Sequence, residues 1–233
     1  MKYDKYIRIF NESTNTSEIE AICEKFNIKN YIINEDGSID VNGNVNLYNK
    51  KLKVLPLNFR KVSGNFECSF NKLTSLKGSP QSIGGYFSCS YNQLTTLEGA
   101  PQRVGGDFDC RYNKLTSLVG CPQSIGGYFY CSGNQLTTLD GGPKRVGGIF
   151  WCYSNNLKNI DYLSKYYKEL DISNNPITKI TDLFTSSNEY GRISNREDKD
   201  LIMDFIDREI IQQDKLLVNR LVEFLDDIGK PKS

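Results

Sequence analysis

Histidine is absent from all 233 residues. That absence removes the usual general base at neutral pH, the Ser–His and Cys–His nucleophile pairs, and most zinc sites. No stretch approaches the roughly 20 apolar residues of a membrane span. The charged segment Met1–Asn11 lacks the apolar run of about 7–15 residues that a secretion signal requires. A soluble, intracellular chain is therefore expected. No P-loop is present, and the Gly-Gly pairs recur at a fixed interval, which marks them as chain corners, not phosphate cradles. Net charge is only +1, so the overall balance names no class of partner. Cysteine is not scarce, but its seven members, at positions 23, 68, 89, 110, 121, 131 and 152, are odd in number. Without a secretion signal they argue against a disulfide framework.

What the chain does have is a period. Between Phe66 and Ile160 the pattern F-x-C-x-x-N-x-L-x-x-L/I returns with cysteine at 68, 89, 110, 131 and 152, a step of 21 residues. Such a period is the mark of a solenoid, in which one short unit stacks on its copies. Within one unit, Tyr86-Phe87-Ser88-Cys89-Ser90 alternates, predicting a short strand with Phe87 and Cys89 inward and Tyr86, Ser88 and Ser90 outward. Asn92 follows the strand, as Asn71, Asn113, Asn134 and Asn155 do in their units, placed to bond the backbone of a turning chain. Leu94 and Leu97 return inward. Gly99 and Pro101 shape the return, and Val104 with Gly105-Gly106 leads into the next strand. The glycines supply either positive φ or close approach at that corner. Residues 67–108 and 109–150 nearly superimpose, a tandem duplication of a two-unit block.

Stacked units place Phe on Phe, Cys on Cys and Leu on Leu. A free cysteine in such a column behaves as a small hydrophobe, and members spread along a line do not surround a metal. The pattern resembles the leucine-rich repeat, L-x-x-L-x-L-x-x-N-x-L, with Phe and Cys in place of two leucines, over roughly Val41 to Ile180. Leu170-Asp-Ile-Ser-Asn-Asn-Pro-Ile-Thr-Lys-Ile180 is closest to the common form. The Gly-Gly, Phe-x-Cys variant is similar to short repeats of bacteriophage and bacterial proteins. The resemblance implies a curved, right-handed parallel-strand solenoid, with a mostly non-helical convex side, that holds a protein partner. Some leucine-rich-repeat effectors of bacterial pathogens carry a ubiquitin-ligase domain with a catalytic cysteine after the repeats. No cysteine follows Cys152 here, so that likeness stops at the scaffold.

Three regions follow: an α/β N-terminal cap over 1–40, the solenoid over 41–180, and a linker with an α-helical cap over 181–233. In the first, Ser17 and Glu20 form a capping box for a helix to about Asn27, with Ile19, Ile22, Cys23 and Phe26 on one face. Residues 30–34 and 39–47 read as strands around a turn at 35–38. Val45, Leu47 and Lys50 then take the Phe, Cys and Asn places of an atypical first unit. Beyond Cys152 the next unit comes after 20 residues, with Ile172 and Asn175 in the Cys and Asn places. Thr181–Gly191 reads as a loop. Ser194 and Glu197 form a second capping box with Ile193 as staple, and helical faces are expected over 201–210 and 215–228. Residues 212–214 either separate two helices or lie within one. The solenoid holds 16 Lys and Arg against 8 acidic residues, a surplus of +8, while the flanking regions are acidic.

Subtracting the repeat leaves the candidate site. Stacking does not ask for aromatic rings on the open side of the strands, yet Tyr128, Tyr130, Ile149, Trp151 and Tyr153 gather there on two adjacent units. Beside them stand Asp107, Asp109 and Arg111, and Trp151 is the only tryptophan. Aromatic and Arg side chains dominate interface energetics, so these eight residues are the expected partner-binding surface. Asp107 and Asp109 share a face but lack the six oxygens of a hard-metal site. No cofactor, metal or catalysis is expected. Nor is nucleic acid, because the basic residues fall in the return segments, away from the aromatic face. The expected function is a cytoplasmic protein-binding module, a phage or bacterial protein that captures a host protein, with a monomer favoured and the oligomeric state left open. The alternative is a virion or assembly component that self-associates through its C-terminal helices.

Overall fold

Five near-identical units each carry a thin apolar layer that is buried only when its neighbours cover it, and the chain solves this by coiling. A computed structural model of the protein describes residues 16–158, 162–164, 167–172, 174–176, 211–212 and 215–216. It is a parallel β-solenoid of about six turns. The N-terminal end carries helix α1 (Thr16–Lys25), with Ile19, Ile22 and Cys23 buried, and a hairpin of β1 (Tyr31–Ile33) and β2 (Ile39–Val41). Because α1 already includes Thr16, Ser17 sits in its first turn and is not the N-cap. The strand expected over 39–47 is broken by a bend at 42–44, and β3 (Val45–Asn46) starts a different sheet.

That break is general. Each turn from residue 39 to residue 151 contributes two short strands, one to each of two sheets, where the sequence pattern marked only one. The first sheet contains β3, β5 (Phe66–Glu67), β7 (Phe87–Ser88), β9 (Phe108–Asp109), β11 (Phe129–Tyr130), β13 (Ile149–Trp151) and β14 (Glu169–Asp171). The second runs from the β1–β2 hairpin through β4 (Phe59–Val62), β6 (Ser82–Ile83), β8 (Arg103–Val104), β10 (Ser124–Ile125) and β12 (Arg145–Val146). The returns thus hydrogen-bond turn to turn. Gln102 N donates to Gln81 O at 2.9 Å and Gly105 N to Ile83 O at 3.0 Å.

Between the sheets the columns form as the period requires. Phe66, Phe87, Phe108, Phe129 and Phe150 are fully or almost fully buried, with successive ring centroids 4.8–5.9 Å apart. Cys68, Cys89, Cys110, Cys131 and Cys152 are buried free thiols. Burial lifts the thiols of Cys68, Cys89, Cys110 and Cys131 well above the ordinary range. The asparagine column does what its position implies. Asn113 Nδ2 donates to Cys89 O, Cys110 O and Arg111 O at 3.1–3.3 Å, and its Oδ1 accepts from Leu94 N at 3.0 Å. One side chain thereby serves the backbone of two turns that water cannot reach. Asn175 repeats the arrangement after the 20-residue step, donating to Cys152 O at 3.0 Å and accepting from Leu157 N at 3.0 Å.

The Gly-Gly corners work by close approach. None of Gly84, Gly105, Gly126 or Gly147 has positive φ, but a Cβ on Gly105 would lie 2.2 Å from Gly84 O. At the far end, β15 (Ile211–Gln212) and β16 (Lys215–Leu216) pair antiparallel, and β16 adds antiparallel to β14. Residues 215–216 are therefore strand, which corrects the helix expected to begin there and excludes one continuous helix through 212–214. An open strand edge gains hydrogen bonds from such an addition. The expected loop at 181–191, the capping box at 194–197 and the helical faces at 201–210 and 217–228 lie outside the described residues.

Candidate functional site

The outer surface of the first sheet collects the eight candidate residues on β9, β11, β13 and the residues that flank them. In-register pairing sets Asp109, Tyr130, Trp151 and Asp171 side by side across four strands. Tyr128 is 41% exposed, while Tyr130, Ile149, Trp151, Tyr153, Asp107, Asp109 and Arg111 are half-buried. Trp151 is therefore not in the core, and the expected grouping forms. Tyr128 meets Tyr130 edge-on at 6.0 Å, Tyr130 lies 5.1 Å from Trp151, and Trp151 lies 6.2 Å from Tyr153, all between ring centroids.

Arg111 is held from several sides. It donates from Nε and Nη2 to the two carboxylate oxygens of Asp109 at 3.0 and 2.8 Å, and its guanidinium carbon sits 4.8 Å from the centre of the Tyr130 ring. Hydrogen bonding to Asp109 first, and also to Tyr153, keeps its proton bound even more firmly than usual. Ser132 stands on the turn between Arg111 and Tyr153, and it is fully buried with an unpartnered hydroxyl. Ser88 and Ser90, expected outward, are buried as well, as is Ser69. Trp151 Nε1 is likewise buried and has no hydrogen-bond partner.

Two of the eight residues have work that subtraction did not reveal. Asp107 Oδ1 accepts from Tyr128 N at 2.8 Å, one turn away, as Asn65 does from Tyr86 N. Asp109 Oδ1 accepts from Arg111 N at 3.0 Å, as Asn46 does from Tyr48 N. These acids occupy polar backbone-bonding columns of the fold, which corrects their reading as residues the stack does not use. Their carboxylates lower the cost of the turn and, for Asp109, aim Arg111. Among the described residues no group of three or more His, Cys, Asp or Glu side chains is placed to hold a metal ion.

The sequence reading missed a second aromatic feature. Phe70, Tyr91 and Tyr112, each immediately before a ladder asparagine, stack face to face on the surface with centroids 4.2 and 4.4 Å apart; Tyr48 extends the row at 5.3 Å from Phe70. All four are more than 40% exposed. Phe70, Tyr91 and Tyr112 have φ of 51–55°, and Gly133, Ser154 and Asn174 continue the same left-handed column. Bulky residues rarely adopt that conformation, so pattern reading looks there for Gly or Asn. The 21-residue recurrence of an aromatic before Asn was the available signal. The row meets the candidate site at Tyr153, whose phenol raises that of Tyr112 above its ordinary value through its charge.

No family model, curated protein or solved structure matches the chain. Function has to be argued from this surface. Among the described residues no helix is long and apolar enough to cross a membrane.

Proposed function

We propose that the protein is a non-catalytic binding module of the leucine-rich-repeat type, which grips a partner protein through the aromatic face of the first sheet. The observation that carries this reading is the ring cluster Tyr128–Tyr130–Trp151–Tyr153 with Arg111 fixed across it by Asp109. Aromatic rings bury large areas at small rotamer cost, and an Arg held in place before binding loses little freedom on contact. The row Tyr48–Phe70–Tyr91–Tyr112 extends the apolar surface along the solenoid axis. Likeness to phage repeats extends the proposal to capture of a host protein in the cytoplasm of a bacterial cell.

The test compares wild type with Trp151→Ala/Tyr130→Ala as bait in a host-cell lysate, followed by affinity measurement on the purified partner. Each truncation at a hot spot costs about 2 kcal/mol or more, so the double variant should lose a partner that wild type retains, while its unfolding midpoint stays close to wild type. Equal affinity of both baits for the partner would remove the aromatic face from the function.

A further inference from the structure

The stretch of each turn just after the first sheet carries exposed rings and charge of one sign. Phe70, Tyr91 and Tyr112 stand two residues before the exposed column Lys72, Gln93 and Lys114, which Lys51 and Gln135 continue on either side. Turn-to-turn bonds from Lys72 N to Leu52 O and from Lys114 N to Leu94 O, both 2.8 Å, keep that column in line. Lys50 and Lys53 add exposed cations at the first turn, and Thr74, Thr95, Thr116 and Thr137 follow Lys53 as exposed hydroxyls. Segments 49–54, 70–75, 91–96, 112–117 and 133–138 thus hold five lysines, no arginine and no carboxylate. The ion pairs among the described residues, Arg60 with Asp40 and Arg111 with Asp109, involve none of these lysines. The acids nearest these segments in the chain lie to either side. Glu67 and Asp109 are on the first sheet, where Glu67 Oε1 accepts from Ser69 N and Asp109 is held by Arg111. Glu98 and Asp140 stand at the far corner, in a column shared with Lys77 and Val119.

The rings present rims, not faces. Phe70 on Tyr91 and Tyr91 on Tyr112 lie 18° and 25° from parallel, and the free face of Tyr112 is closed by Gly133, where a Cβ would come 2.7 Å from the ring. We propose that this side of the solenoid docks on the surface of an anionic phospholipid bilayer. The ring rims enter the headgroup layer and the lysines meet the lipid phosphates. Tyrosine settles at that level because its body is apolar and its tip polar. Lysine stems lie along apolar surface while their ammonium groups reach the charge, and a basic patch beside apolar groups gives a two-part anchor. A compact charge on a flexible stem suits phosphates that move in a fluid layer, where the rigid fork of arginine has less to match. Single-stranded nucleic acid is the poorer fit, since its bases stack on open ring faces, and here neighbouring rings occupy them. The proposal does not rest on the partner-binding role of the cluster around Trp151.

The chain supplies its own neutral residues, because glutamine already occupies the Lys72 column on alternate turns. Sedimentation of the full chain with vesicles of phosphatidylcholine alone, or with about one part in three of phosphatidylglycerol, provides the test at about 50 and 200 mM salt. Each lysine near an anionic surface contributes about fivefold in affinity, so Lys72→Gln/Lys114→Gln should weaken binding to the anionic vesicles at least tenfold. Lys61→Ser/Arg103→Ser removes equal charge from the second sheet and should bind as wild type. Phe70→Asn/Tyr91→Asn, which places in the ring column the residue that Asn49 and Asn174 show at the same positive φ, should lose the binding that persists at the higher salt. The proposal is overturned by no binding to anionic vesicles at the lower salt, or by equal binding to phosphatidylcholine alone. It is also overturned by a glutamine variant no weaker than the second-sheet variant. Binding of a labelled oligothymidylate of about 20 nucleotides more tightly than the vesicles, with the same dependence on Lys72 and Lys114, would overturn it in favour of nucleic acid.

Discussion

Asn113, like its counterparts in the stack, donates to three carbonyls that each have a second donor and is the acceptor for one buried amide, that of Leu94. Asn113→Ala leaves Leu94 N without its acceptor, while Cys89 O and Cys110 O keep Asn92 and Asn134 as donors and Arg111 O keeps Tyr91 N. A loss of about 2 kcal/mol is expected, from one unsatisfied buried amide at about 1–3 kcal/mol and the bonds lost to the carbonyls, measured by denaturant unfolding. A change below about 1 kcal/mol would contradict the ladder's role. The thiol column predicts a pH effect of definite sign. Burial raises the thiols of Cys68, Cys89, Cys110, Cys121 and Cys131, so the folded state keeps protons that the unfolded chain loses above about pH 8.5. The stabilisation is complete below that pH and is lost as pH rises toward the folded values, at up to about 1.4 kcal/mol per pH unit per thiol. Unfolding midpoints followed from pH 7 to 10 should fall, and Cys110→Ala should flatten the decline. The Phe, Cys and Asn columns were legible because each repeats one chemical type every 21 residues. The roles of Asp107 and Asp109 were not, because their columns mix Asn, Asp, Glu, Ser and Tyr, and only the hydrogen bonds show which members serve the backbone.

At the scale of the element, two-residue strands have no stability of their own and exist only because the next turn pairs with them. That is why the second sheet escaped pattern reading: Arg103-Val104 and Ser124-Ile125 are too short to alternate, and in β4 the inward residues Phe59 and Val62 flank two exposed ones. Residues 215–216 are strand and not the start of the expected helix for a related reason, since the apolar spacing of that segment says nothing of an open edge on β14 that a strand can cover. Corners are the least tolerant part of each turn. Gly105→Ala sets a Cβ 2.2 Å from Gly84 O, a backbone atom held by turns on both sides. The expected cost is about 2 kcal/mol or more, read as a lowered denaturation midpoint. Ser124→Ala on an exposed strand position should change it by less than about 0.5 kcal/mol.

For the molecule as a whole, two surfaces differ in character, one aromatic with a fixed Arg111 on the first sheet and one of lysines beside the ring row. Their roles are separable because the Phe, Cys and Asn columns beneath them hold the turns in register whatever stands outside. The candidate site was readable as the part of the open surface that departs from the repeat. The exposed row Phe70–Tyr91–Tyr112 was not, since its backbone geometry is one that sequence rules reserve for smaller residues. Trp151 is the only tryptophan and sits in the middle of the proposed contact, so its fluorescence reports on that surface alone. Acrylamide quenching of Trp151 in the free protein and with a saturating captured partner that has no tryptophan, or has had it replaced, is the most direct measurement. The account predicts a half-accessible indole in the free protein and strong protection in the complex; an indole quenched equally in both states would contradict it.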